Sequence, residues 1–259
     1  MKIVFGKLFA VVALFAFCSS MMAQVQSDVA EKSDLFSVKR HSLKKSEEGF
    51  AYNNEIDFPV SGNAATVKII REWIAEAQSY CYYGDVNDVR ALMAYEYQKE
   101  RDDWSQDYNC EASLRILKAY NNAKCVTYTR DFYGYSGGAH GYSSKHGATF
   151  RLSDGRRFGW DMFHNTFRLN AIIFDALKVQ YFMAESDEEM CENLNGYKRE
   201  GNKQLPLPKT DPWITDKGVV FFYQEYEIGA YCIGTPSCVV PFEKIKQFMY
   251  PSALDLIRR

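Results

Sequence analysis

"LRILKAYNNAKCVTYTRDFYGY", Leu114–Tyr135, sets two runs of alternating side chains on either side of an Asn-Asn pair. In the second run Val126, Tyr128 and Phe132 share one face while Thr127, Thr129 and Asp131 share the other, the period-2 mark of a half-buried strand. Asn121-Asn122 supplies turn chemistry between them. Leu114–Tyr120 and Cys125–Tyr135 are therefore expected to form a β-hairpin.

Upstream, Tyr52, Ile56, Phe58 and Val60 alternate with Asn53, Glu55, Asp57 and Pro59, which predicts another strand. Ser61-Gly62-Asn63 ends it and caps a helix whose apolar stripe is Val67, Ile70, Ile74, Ala77 and Cys81. A second, more polar helix is expected from Asn87 to about Trp104.

Downstream of the hairpin, Thr149–Leu152 and Arg157–Trp160 flank a Ser-Asp-Gly-Arg turn, and Leu169, Ile172, Ile173, Ala176, Val179 and Met183 predict a third helix. After a loop rich in Gly, Asn and Pro at 193–212, Trp213–Thr215 and Val219–Gly229 read as a further hairpin. A short strand over Val239–Phe242 and a helix over Glu243–Tyr250 close the chain. Hairpin-joined strands with helices in blocks predict an α+β protein: a mostly antiparallel sheet with helices packed on one side.

The N-terminus speaks to compartment. Lys2 and Lys7 precede an apolar run, Leu8–Phe17, that is too short to be a resident membrane helix, and residues 1–23 read as a secretion signal cut after Ala23. The bulky Phe17 disfavours lipid attachment at Cys18. A periplasmic or secreted product without a membrane span is expected. With both lysines removed, the formal charge moves from −2 to −4, which excludes bulk attraction to nucleic acid.

Six of the seven cysteines survive such a cut, and an even number in an exported chain favours disulfides. Cys232 and Cys238, flanking a Gly-Thr-Pro turn, are the expected pair. No CxxC spacing points to zinc, so neither a metal nor a cofactor is expected.

Three strings carry a resemblance: the Ser-Gly-Gly-Ala-His-Gly hinge at 136–141, the Asp-Gly-Arg turn leading to Trp160-Asp-Met-Phe163, and the run Tyr223–Gly234, YQEYEIGAYCIG. In this order they resemble the domain-of-unknown-function 3298 family, which includes the extracytoplasmic part of RsiV-type anti-sigma factors. On this resemblance residues 133–250 form the family-like region and residues 34–132 its usual upstream companion, the two making one continuous unit. The resemblance implies a binding or sensing domain facing the cell wall, since the RsiV branch is understood to recognise lysozyme. A cell-wall glycan or a lysozyme-like protein is the implied partner. No catalytic residues carry over, and the oligomeric state stays open.

The hinge poses the sharpest chemical question. Gly137, Gly138 and Gly141 suit a backbone reversal, and His140 among them either fixes the loop by hydrogen bonds or serves as a general base or ligand contact. No nucleophile in a G-x-S-x-G setting accompanies it. Tyr133, Tyr135 and Tyr142 surround the hinge and, if exposed there, could stack on sugars or anchor a protein partner. His140 and His146, six apart, make a weak metal signal. Glu225 and Glu227, expected on one strand face, would serve with His140 a rival reading as an enzyme acting on peptidoglycan or another extracellular polymer.

Overall fold

The computed structural model describes residues 35–79, 81–103 and 109–258. The expected signal sequence at 1–23 and Cys18 lie outside them, as does Trp104, where the second helix was expected to end. Six strands form the main sheet in chain order: β1 (Ser37–Glu47), β2 (Phe50–Ser61), β3 (Cys110–Asn121), β4 (Cys125–Tyr135), β5 (Tyr142–Arg151) and β6 (Arg157–Phe158). Every neighbouring pair is antiparallel except β2 and β3, which run parallel from Phe50↔Cys110 to Ile56↔Ile116. A parallel pair needs a long crossover. Two helices supply it: α1 (Ala64–Gln78) and α2 (Val89–Asp103).

Each helix begins on a side chain that satisfies otherwise orphaned amides. Asn63 Oδ1 accepts from Ala65 N and Thr66 N, and Asp88 Oδ1 accepts from Arg90 N and Ala91 N. The apolar stripe of α1 turns Ile70, Trp73 and Ile74 onto the sheet face that carries Ile56, Leu114, Ile116, Val126 and Tyr128. The predicted alternation of β2 and β4 therefore marks the boundary of a real core. On the reverse face of β1–β3 the side chains are charged: Arg40 grips Asp57 with Nε and Nη2 at 2.8 and 2.9 Å, and Lys118 N donates to the same carboxylate at 3.1 Å.

A second module covers the reverse face of β4 and β5. It is built from α3 (Leu169–Leu177), α4 (Asp187–Asn193), a three-stranded antiparallel sheet of β7 (Trp213–Ile214), β8 (Val219–Phe222) and β9 (Ser237–Val240), and the short helices α5 (Phe242–Ile245) and α6 (Pro251–Ile257). Its own core gathers Phe174, Phe221, Tyr223 and Leu256, and takes in Cys125 and Phe158 from the main sheet. Buried hydroxyls stitch the modules together. Thr127 Oγ1 donates to Ile214 O at 2.8 Å, Ile214 N donates to Thr149 Oγ1 at 3.0 Å, and the two hydroxyls lie 2.8 Å apart. The α+β class holds, with this second sheet added to it.

The C-terminal helix expected over Glu243–Tyr250 is broken. α5 tightens into a single 3-10 turn at Lys246–Phe248, Met249 is extended, and Pro251 opens α6 at a position where its missing N–H costs nothing.

The expected Cys232–Cys238 disulfide does not form. Cys238 is buried on β9 with Sγ 3.9 Å from Ile173 O, whereas Cys232 is exposed on the 3-10 turn Tyr231–Ile233. Strand alternation sends Cys238 into the core, away from the turn that carries Cys232. Burial pushes the Cys238 thiol up to about 12, which removes its reactive thiolate at neutral pH. A maleimide probe is expected to label Cys232 in the native protein and Cys238 only after unfolding, as read by peptide mass mapping. Labelling of Cys232 that required prior reduction would contradict this arrangement.

Candidate functional site

The hinge between β4 and β5 is tied down at every turn. Gly137 takes φ +85°, and the Tyr135 hydroxyl donates to Gly138 O at 3.1 Å. A Cβ at Gly141 would sit 2.6 Å from Tyr133 Cε2, so glycine is what lets that ring lie on the loop. A Cβ at Gly138 would meet nothing within 4 Å. His140 Nδ1 lies 2.9 Å from Gly141 O, which can only accept, so Nδ1 carries the proton and Nε2 accepts from the Tyr226 hydroxyl at 3.1 Å. The imidazole stacks on Tyr231 with centroids 3.6 Å apart and planes 18° from parallel, and the Tyr231 hydroxyl donates to the same Gly141 carbonyl at 3.1 Å.

The partners of His140 come from a turn where a strand was expected. β8 ends at Phe222, and the chain reverses through Gln224–Glu227 with Tyr226 at φ +64°. Glu225 and Glu227 therefore do not alternate along one strand face. Glu227 accepts from Gln224 N at 2.8 Å and from Lys209 N at 2.7 Å, while Glu225 Oε1 accepts from Ser143 N at 3.1 Å. Both carboxylates brace backbone, and a non-glycine left-handed residue stores about 1 kcal/mol or more of strain that this bracing offsets. The result is a Tyr226 ring 58% exposed beside His140.

The aromatic residues expected around the hinge separate onto two faces. Tyr133 falls with Thr127 and Thr129 on the second-module side of β4, next to the His140 group. Tyr142 pairs with Gly134 and falls with Ser144 on the helix side, where it is 51% exposed. There it rims a pocket of about 580 Å³ between the end of α1, the middle of α2, and β4–β5. His146 lines this pocket, so the two histidines do not converge.

Arg130 is fixed in the pocket wall by donating from Nε to Ala77 O at 2.7 Å and from Nη1 to Ser144 Oγ at 2.9 Å. Gln78 and Glu96 beside it are 2% and 3% exposed. Both polar atoms of Gln78, Ser79 Oγ and Glu96 Oε2 are buried without a hydrogen-bond partner. Burial pushes the Glu96 carboxyl up to about 7, with Glu100 adding and Lys99, Ser79 and Arg130 opposing. Ser79 Oγ is near enough to oppose the shift without completing a bond of ordinary geometry. Although His146 keeps an exposed edge, desolvation by the wall holds its imidazole below the ordinary value, helped by Arg130 and Arg157. Among the described residues no three His, Cys, Asp or Glu side chains gather as a metal site.

Residues 161–243 match the family model described as protein of unknown function (DUF3298). The resemblance to DUF3298 holds over these residues. Two solved DUF3298 family proteins share the fold. One, from Bacteroides fragilis NCTC 9343, has a TM-score of 0.62 at 15% identity over 87% of this chain and 99% of its own. The other, from Pseudomonas aeruginosa PAO1, has a TM-score of 0.61 at 15% identity over 85% of this chain and 97% of its own. No curated protein matches the sequence.

The DUF3298 segment contributes Tyr226 and Tyr231, and the hinge that carries His140 lies before it in the chain. Two of the three strings that carried the resemblance thus meet in one contact. Gln78 and Glu96 were missed, although a signal existed. Gln78 follows Ile70 and Ile74 at helical spacing and Glu96 follows Leu92 and Met93, so each places a polar group on an apolar stripe.

Proposed function

We propose that this chain is an exported, non-catalytic binding or sensing domain that recognises a cell-wall component or a lysozyme-like wall-degrading protein, as RsiV-type domains do. The observation that supports it is the clamped imidazole: both ring nitrogens of His140 are occupied by Gly141 O and Tyr226, and its face is covered by Tyr231. Held on both edges and one face, the ring is fixed in orientation. It serves to hold exposed rings rigid. Rings already held in place lose little conformational freedom on docking, which is what makes tyrosine an effective anchor. In the rival enzyme reading the carboxylates would act while Glu227 accepts from Gln224 N and Lys209 N and Glu225 Oε1 accepts from Ser143 N. The motif resemblance and the N-terminal signal pattern support the wall-facing setting by analogy.

Calorimetry of the chain with lysozyme and with muropeptides is expected to show a Kd of about a micromolar or tighter for one of them. Tyr226→Ala should weaken it by about tenfold, equivalent to ~1.4 kcal/mol. Failure of both ligands to bind the parent protein would overturn the proposal.

A further inference from the structure

The α1–α2 pocket gathers several buried polar atoms of the described residues that have no hydrogen-bond partner. Buried polar groups in folded proteins nearly always find partners. Here one wall carries a donor and three acceptor-capable atoms with none: Gln78 Nε2, Gln78 Oε1, Ser79 Oγ and Glu96 Oε2. The neighbouring Arg130 shows that the same wall can satisfy a polar group where structure requires it. The charges are nearly balanced, with Arg130, Arg157 and Lys99 facing Glu76, Glu96 and Glu100, so the pocket does not select an ion of either sign. Trp73, Phe132 and Tyr142 give it an apolar flank, and its volume lies in the range of small-molecule sites.

We propose that this pocket binds a small neutral saccharide. Ring hydroxyls supply donors for Gln78 Oε1 and Glu96 Oε2, a hydroxyl or amide oxygen accepts from Gln78 Nε2, and the C–H face of the sugar packs on the Tyr142 side. The Gln78 amide is covered in the present conformation, so binding turns that side chain outward. The inference is independent of the wall-recognition reading. The pocket opens on the helix side of β4–β5 and the His140 cluster lies on the other, so either can fail alone.

The test is titration calorimetry of the full chain with N,N′-diacetylchitobiose and with cellobiose, which share neutral hydroxyl-rich rings and differ in the amide. Binding in the millimolar range or tighter is expected for at least one. Binding of the first alone assigns the amide to Gln78, and binding of both assigns the hydroxyls. Gln78→Leu should weaken it at least tenfold while leaving the melting temperature equal or higher, because an orphaned amide is removed from the free protein; a merely structural glutamine would give a lower one. Should Gln78→Leu not fold, Tyr142→Ala at the exposed rim provides a second variant, expected to weaken binding several-fold. Absence of binding of both sugars at about 10 mM, or binding that neither variant alters, overturns the proposal.

Discussion

Replacing Gly147 by alanine is expected to destabilise the protein by about 3 kcal/mol, seen as a fall of roughly 10 °C in melting temperature or an equivalent shift in urea midpoint. Gly147 lies on β5 directly beneath the Trp213 indole, and an added Cβ would overlap Cγ, Cδ2 and Cε3 of that ring. Trp213 is 3% exposed, with the Phe222 ring packed against it. Its strand cannot back away, because Ile214 is held on both sides by Thr149 and Thr127. Relief therefore means breaking buried hydrogen bonds worth about 1 kcal/mol each, or distorting the strand. A matching Trp213→Leu change should recover part of the loss, so the double variant is less destabilised than the sum of the singles. A melting temperature within 2 °C of the parent for Gly147→Ala would show that the joint is loose and the argument wrong.

The same joint explains what could be read in advance. The period-2 runs of β2, β3 and β4 and the stripe of α1 were legible because each sets an apolar face against a more polar one, even in β4, whose polar face lies under the second module. β1 left no such mark. It is an edge strand, SVKRHSLKKSE, whose lysines and arginine guard an unpaired edge and whose side chains are mostly exposed. The small sheet was half legible: Trp213–Thr215 and Val219–Phe222 were placed, but Tyr223–Gly229 kept a strand-like pattern after the backbone had already turned. What ends β8 is a side chain returning to its own backbone, Glu227 to Gln224 N, a competition that alternation cannot reveal.

For the site, the limit was distance along the chain. His140 and the tyrosines near it were visible as a cluster, but their division between two faces depends on β4–β5 register, and the partners Tyr226 and Tyr231 arrive from another module. The pocket was harder still. Gln78 and Glu96 stand on different helices, and Arg130 reaches them from the middle of the sheet, so the constellation exists only after the crossover has folded over β2 and β3.

The stability of Glu96→Gln relative to the parent should rise by about 2 kcal/mol, or roughly 5 °C in melting temperature, between pH 4 and pH 8. In the folded protein burial raises this carboxyl to about 7 from its ordinary 4.5. Between those values the folded state keeps a proton that the unfolded chain releases, so the unfolded state binds fewer protons and stability falls as pH rises through the window. The stabilisation is whole below about 4.5 and lost above about 7. Glutamine has no proton to release and should flatten that part of the profile. The substitution places an N–H₂ where Oε2 now lies without a partner, so its cost is felt equally at both pH values and cancels from the difference between them. Melting curves of parent and variant taken from pH 4 to pH 8 read that difference directly. Parallel profiles would mean that Glu96 binds its proton alike in the folded and unfolded states, and that the pocket wall is wetter than its geometry implies.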